Sequence, residues 1–476
     1  MAWGKSPAGV ASWVEKLKAN DPSLTSVTVF RGRLFGAAEA SEVCAALRTN
    51  THLAELYASG HPMDASTAAL FADVLATNTT LRSLCVGDDA FGDAGLAALA
   101  PGVARSASLA ALDLENKGVG DAGAEALGAA LATASLSELI LSRNPALGSR
   151  GVAAVCAGAA AGGRLAALRL AELALDGDAP AALAHLLASP CPLALLDLDR
   201  VRAFVDADGP TKLREGLARR RARGAAPLDA LSLDGVPLGD AGAVALAGGD
   251  CSAESSEPSS SPSALPVRSL SLRGCGVGAA GARALAGAIA STETLRLGDN
   301  AVGDDGAASL AEALPNASSL ATLDVSSNGI GAVGAAALVR GATTLRELSL
   351  FGNEAIGDAG LAAATEAAGA GGAASLAYLD AGGCGATETG LVALCEALIA
   401  RADVFPKLET LVVGGNPGTQ SDAWEPALGR LRDARPGLDV AWRAADAGDS
   451  KEEREAGERL LAQHREQQAG LPPPTP

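Results

Sequence analysis

One pattern returns along almost the whole chain and leaves few folds open to it: Leu, two residues, Leu, one residue, then Leu or Val. Its first apolar position falls at Leu24, Leu53, Leu81, Leu109, Leu136, Leu165, Leu193, Leu228, Val267, Thr292, Leu320, Leu345, Leu376, Leu408 and Leu438. Successive copies lie 25 to 39 residues apart, the period of a small stacked unit. In the copy from Leu320, Leu323 and Val325 alternate with Thr322 and Asp324, which predicts a short strand with one buried face. Leu127 and Leu131 stand one helical turn apart and predict a helix with a single apolar stripe. The motif Gly-Asp-Ala-Gly at 92–95, 120–123, 239–242 and 357–360 places an Asp at the helix start, where a carboxylate accepts an orphan backbone N–H as an N-cap. A strand-plus-helix unit of this size cannot bury both faces alone, so it stacks on its neighbours. Because a helix is wider than a strand, such a stack curves. The expectation is an α/β solenoid of horseshoe form, with parallel strands on the concave face and helices on the convex face.

Composition agrees with a finely divided core. Aromatic residues make up 3% of the chain and glycines number 57, so few large side chains are available to fill a wide space. Hydrophobic residues at 48% against charged ones at 19% exclude disorder for most of the length. The formal charge of −18, from 37 basic and 55 acidic residues, argues against nucleic acid as a partner, because a protein that neutralises phosphates is basic. Eight cysteines without a CxxC pair point to a reduced compartment rather than a disulfide scaffold. No run of apolar residues is long enough to span a membrane. The expected location is the cytoplasm, with the nucleus as second choice, and no membrane contact is expected.

Around the array the chain divides simply. Residues 1–23 read as an amphipathic cap, with Trp13, Val14 and Leu17 at helical spacing. The array of about 14–15 units runs from 24 to 442, with a Ser-rich insertion at 249–263 expected to be disordered. Residues 443–476 form a charged tail expected to be partly mobile.

The repeat LxxLxLxxN followed by a G-D-x-G turn resembles the leucine-rich repeats of the ribonuclease-inhibitor type, which also occur in NOD-like receptors and the Ran GTPase-activating protein. The resemblance covers roughly 24–442. In that family the ninth position carries Asn or Cys, whose side chain bonds the backbone of adjacent turns in a ladder. The resemblance assigns this role to Asn144, Cys275, Asn300, Asn328, Asn353, Cys384 and Asn416. From 165 to 236 the same position carries Leu173, Val201 and Val236, which predicts a less regular centre.

Sites of chemistry are scarce. Gly118, Gly120 and Gly123, and again Gly276, Gly278 and Gly281, match G-x-G-x-x-G, yet the turn recurs with the repeat and reads as structural. Only four histidines exist, none paired at metal-ligand spacing, and His185 sits among leucines on a helix. Cys275 and Cys384 occupy ladder positions and read as structural thiols. Asp197 and Asp199 share one strand face and read as solvated charges. The run Arg219, Arg220, Arg221, Arg223 reads as cations near a helix C-terminus, with nuclear import or phosphate binding as the sharper alternative. Ser261–Pro262 fits a proline-directed phosphorylation site. No catalytic residue, cofactor site or metal site is assigned.

The solvent-facing strand positions are where charged and aromatic residues replace Ala. They include Tyr57, Arg143, Arg169, Arg200 and Arg296, followed by Asp324, Glu347, Phe351, Tyr378 and Asp380. Aromatic and Arg side chains anchor protein interfaces, so these residues are the candidate partner-binding set, with Phe351 expected to be exposed and in want of a cover. The leading function is a non-enzymatic, monomeric scaffold that binds another protein on the concave face. The family resemblance also implies two alternatives. One is a Ran-type GTPase activator with a small GTPase as partner, although the long acidic tail of that family is missing. The other is a regulatory repeat protein related to NOD-like receptors, although no nucleotide-binding domain is present.

Overall fold

The computed structural model describes residues 8–204, 208–249 and 264–442, with side chains from Trp13 onward. Trp3, most of the 249–263 insertion with Ser261, and the 443–476 tail with His464 lie outside the described residues. The chain forms two compact units, Met1–Cys275 and Gly276–Pro476.

The first unit holds nine strands among its described residues: β1 (Ser26–Thr28), β2 (Glu55–Ser59), β3 (Ser83–Gly87), β4 (Ala111–Asp113), β5 (Glu138–Ile140), β6 (Ala167–Arg169), β7 (Leu195–Asp197), β8 (Leu228–Ser232) and β9 (Val267–Ser271). Each pairs in parallel with the next. The second unit holds six: β10 (Thr294–Arg296), β11 (Thr322–Asp324), β12 (Glu347–Ser349), β13 (Tyr378–Asp380), β14 (Thr410–Val412) and β15 (Asp439–Ala441), again parallel and in chain order. A helix follows each of β1 to β14, so each unit is an α/β solenoid. The register follows from the repeat. Leu56, Leu84, Leu112 and Leu139 stand side by side in the first unit, as do Leu295, Leu323, Leu348 and Leu379 in the second. All eight are buried under the helices, each worth about 2 kcal/mol of apolar burial.

The helices approach closely because small residues line their contacts. In the helix Ser149–Gly162, Gly158 faces Gly128 of Asp121–Leu131, and a methyl group there would collide with the Gly128 carbonyl. Leu127 and Leu131 are buried on the inner stripe of that helix. In the N-terminal helix Ala8–Lys18, Val14 and Leu17 are buried and Trp13 is half-buried.

The Gly-Asp-Ala-Gly turns correct the capping expectation. Asp93 caps not its own helix but the next one: its Oδ1 accepts the Gly120 N–H at 2.7 Å and the Gly123 N–H at 2.9 Å. Asp121 does the same for Gly148 and Gly151, and in the second unit Asp304 does so for Gly331 and Gly334. Glycine makes the reach possible, since a methyl at Gly123 would lie 2.7 Å from an Asp93 carboxylate oxygen. The acidic residue therefore stitches repeat to repeat.

Candidate functional site

On the three-residue strands of the second unit the middle residue points to the helices and the flanking ones point away. In the second unit this gives two in-register rows. One runs Thr294, Thr322, Glu347, Tyr378, Thr410 and Asp439; the other runs Arg296, Asp324, Ser349, Asp380, Val412 and Ala441. Neighbouring strands lie about 4.8 Å apart, so side chains within a row touch. Thr322 Oγ1 donates to Glu347 at 3.2 Å, and Asp324 accepts the Ser326 N–H at 2.9 Å. Arg296, Asp324 and Glu347 are half-buried on this face. In the first unit, Tyr57 lies beside Cys85 and Asp113, its hydroxyl 3.0 Å from Ser83 Oγ, and Arg169 pairs with Glu138 at 3.5 Å.

Five of the predicted face residues need correction. Tyr378 is 4% exposed and Asp380 2%, so neither is part of an open surface. The row assignment holds, and Asp380 accepts the Gly382 N–H at 2.8 Å. Phe351 is half-buried rather than bare. Its ring lies over Gly382 and Gly383 of the next repeat, where a methyl on Gly382 would come within 3.1 Å of it. Separately, Arg143 and Arg200 lie beyond the strands, in turns with positive φ of 59° and 57°. There they flank Glu172, at 3.2 Å and 2.7 Å, and Arg143 reaches Glu115 at 3.3 Å.

The ladder residues are all within the turns. Asn353 Oδ1 accepts the N–H groups of Asn328 and Ile330, and its Nδ2 donates to the carbonyls of Val325 and Leu350. Asn144 makes the equivalent set with Lys117, Val119, Leu114 and Leu141. Asn328, Asn300 and Asn416 follow the same plan. Cys275 and Cys384 keep the donor half of it, their thiols reaching Leu233 O at 3.0 Å and Leu350 O at 3.2 Å. Burial pushes both thiols up to about 12, which suits a donor and not a nucleophile.

In the centre, Leu173, Val201 and Val236 are buried, yet β6 to β9 pair without a break. Strand pairing is kept because, in the turns of Val201 and Val236, closure falls two residues earlier, on Asp199 and Asp234. Asp199 Oδ1 accepts from Ser232 Oγ at 2.5 Å and the Asp234 N–H at 2.9 Å; Asp234 Oδ1 in turn accepts from Ser271 Oγ and the Arg273 N–H. Burial holds both carboxyls above the usual aspartate range. Asp199 is therefore a structural acceptor, not the solvated charge expected. The sequence signal was available: Asp stands at the seventh position in both turns and at that position in no other repeat from Leu24 to Leu408.

The remaining candidates resolve into structure. The Gly120 and Gly123 N–H groups of the first G-x-G-x-x-G donate to Asp93, so that turn offers no vacant phosphate cradle. In the helix Asp208–Ala222, Arg220 is buried with Nε on the Ala226 carbonyl, Arg219 pairs with Glu215, and Arg221 donates to the Ala264 carbonyl. His185 is exposed. Among the described residues no group of three His, Cys, Asp or Glu side chains is placed to hold a metal, and no helix is long and apolar enough to cross a membrane. One residue escaped sequence reasoning. Lys117, at a ladder position, is 2% exposed and sends Nζ to Ser59 Oγ, two repeats back, at 2.6 Å.

A family model described as Leucine Rich repeat matches residues 266–286, 293–311, 316–339 and 341–363. No curated protein sequence matches the chain. Among solved structures, it is similar to a chain of the yeast Rad7–Elc1 complex at 14% identity and a TM-score of 0.44, covering 93% of this chain and 90% of that one. It is also similar to a chain of the TLR13–ssRNA13 complex at 16% identity and a TM-score of 0.48. There the match covers 84% of this chain and 48% of that one.

Proposed function

Because this chain is built from leucine-rich repeats, we propose that it is a non-enzymatic scaffold that binds another protein on the outward face of its strands. We assign the repeats to the ribonuclease-inhibitor type, on the strand–turn–helix unit and the Asn/Cys ladder. Leucine-rich-repeat proteins generally act in protein interactions, and one observation favours that role here. The outward rows carry polar and charged side chains held in register, such as Arg296 beside Asp324 and Thr322 beside Glu347. A face of this kind presents a rigid array at little entropic cost to a partner. The thiols among the described residues are buried, and the first G-x-G-x-x-G turn is already bonded internally.

The test is a charge reversal on the face, Arg296→Glu with Asp324→Lys, against a helix-side control, Glu312→Lys. Recovery of the main partner from native lysate should fall about tenfold for the face variant and stay unchanged for the control. Circular dichroism should show the same fold for all three proteins. Partner loss in the Glu312 variant with retention in the face variant would remove the proposal. Acceleration of GTP hydrolysis by a Ran-type GTPase would replace it with the GTPase-activating reading.

A further inference from the structure

The first turns of the array hold an arrangement absent from the other described turns of this unit. Phe30 and Leu34, in the loop between β1 and the helix Ala37–Leu47, are 72% and 78% exposed. Arg31 and Arg33 alternate with them, both exposed. The Arg31 side chain lies across Gly60, and a methyl group at Gly60 would overlap it. Gly60 is held in place at φ +79°, with its N–H on the Gly87 carbonyl at 2.8 Å. From the opposite side, Lys117 reaches back past Gly87 to Ser59. Two cationic side chains thus converge on the dipeptide Ser59–Gly60, beside the half-buried Tyr57.

Elsewhere in this unit the arginines of the face and turns are paired: Arg143 with Glu115 and Glu172, Arg169 with Glu138, Arg200 with Glu172. Among the described residues Arg31 makes no ion pair, and the partner of the Lys117 ammonium is a neutral hydroxyl. The nearest acidic turn, Asp88–Asp89, has the Asp88 carboxylate on its own Ala90 N–H. In a chain of formal charge −18, this is a cationic point bordered by two bare apolar side chains. Exposed aromatic and aliphatic groups beside Arg are the composition of an interface anchor. A lipid surface fits less well, since two apolar side chains and two arginines supply less than the marginal hold of a single acyl chain.

We propose that the Phe30–Leu34 loop and the Ser59–Gly60 turn form a docking site for a short acidic segment of a partner protein. One carboxylate of the segment lies over Ser59–Gly60, bonded to Arg31 and within the field of Lys117. An apolar side chain of the segment packs on Phe30 and Leu34. This site rests on the protein-binding reading of the strand face and adds to it a location and a ligand chemistry.

The experiment is selection of displayed random peptides on the full chain, followed by fluorescence polarisation with the selected peptides. Selected peptides should be rich in Asp and Glu together with Leu or Phe. They should bind Arg31→Glu and the double variant Phe30→Ser/Leu34→Ser about tenfold more weakly, and Glu312→Lys as well as the wild type. Matching circular dichroism and melting midpoints guard against misfolded variants, and Arg31→Lys should restore part of the affinity. The proposal is overturned if no peptide is selected, if the peptides lack acidic residues, or if they bind the variants equally. Affinity lost on Arg296→Glu but not on Arg31→Glu would overturn this site and leave the protein-binding reading standing. Two further outcomes would also overturn it. One is Phe30-dependent sedimentation with phosphatidylcholine–phosphatidylserine vesicles in place of peptide binding; the other is a Phe30-dependent dimer in sedimentation velocity.

Discussion

The turns around Asn353 and the turns around Asp199 solve one problem with different groups. In the second unit, a neutral amide at the ninth position bonds backbone groups of two adjacent repeats at once. In the centre of the first unit that position is apolar, and the N–H groups of Val201 and Val236 close onto the Leu198 and Leu233 carbonyls of their own turns. Cross-repeat bonding there falls to the Asp199 and Asp234 carboxylates and to a chain of ion pairs, Glu115–Arg143–Glu172–Arg200. The strands pair equally in both regions. A buried backbone group must find a partner, but neither its address nor its chemistry is fixed. Moving from an amide to carboxylates keeps the architecture and makes the centre answerable to pH and salt.

The largest expected effect is on the amide side. Asn353→Ala orphans several buried groups, each worth about 1–3 kcal/mol, so unfolding in urea should show a loss of at least about 3 kcal/mol. Asn328→Ala should cost about 1–3 kcal/mol, whereas Ser327→Ala beside it should stay within about 0.5 kcal/mol. Equal midpoints for the last two would break the ladder assignment.

Asp199 and Asp234 give the next effect, through pH. Burial raises both carboxyls, so the native protein takes up these protons at a higher pH than the unfolded chain does. Their contribution to stability therefore grows as pH falls from neutral through the native values, and is complete below the unfolded value of about 3.9. Glu172 runs the other way. Hydrogen bonds from Arg143 and Arg200 hold it below the usual range, so its contribution is present above about pH 4.3 and is lost as pH falls through its native value. Urea midpoints across this range should rise on mild acidification for the wild type and stay flatter for Asp199→Asn/Asp234→Asn. The same slope in both proteins would contradict the assignment.

The smallest effect belongs to the exposed ion pairs. Removing Arg143 by Arg143→Met, or screening it with molar salt, should lower the urea midpoint only slightly, and the two losses should not add. Additive losses in a salt titration of the variant would show that the salt acts elsewhere.

The repeat was legible because its apolar positions report directly on a buried face. All fifteen copies begin a strand, even the one where Thr292 takes the place of Leu and is fully buried. Cross-repeat features were harder to read. Asp93 looks like a cap for its own helix until the glycines of the next turn are seen to admit it. Tyr378 sits in its expected row, but it is buried there, and strand phase does not report burial on the outward side. Lys117 occupies an Asn position, and its reach to Ser59 two repeats back is not reported by the pattern of its own repeat. The face could be located from the phase of the pattern; its exposure could not.

Native-state hydrogen exchange on two single variants, Asp199→Ala and Asn353→Ala, tests the equivalence of the two closures most directly. Stacked repeats couple chiefly to nearest neighbours, so each variant should lose protection in its own turn and the adjoining repeats. Asp199→Ala should open 195–236 and spare 320–356, and Asn353→Ala should do the reverse. Unchanged protection at 195–236 in Asp199→Ala would show that the central turns do not depend on that carboxylate and would contradict the account.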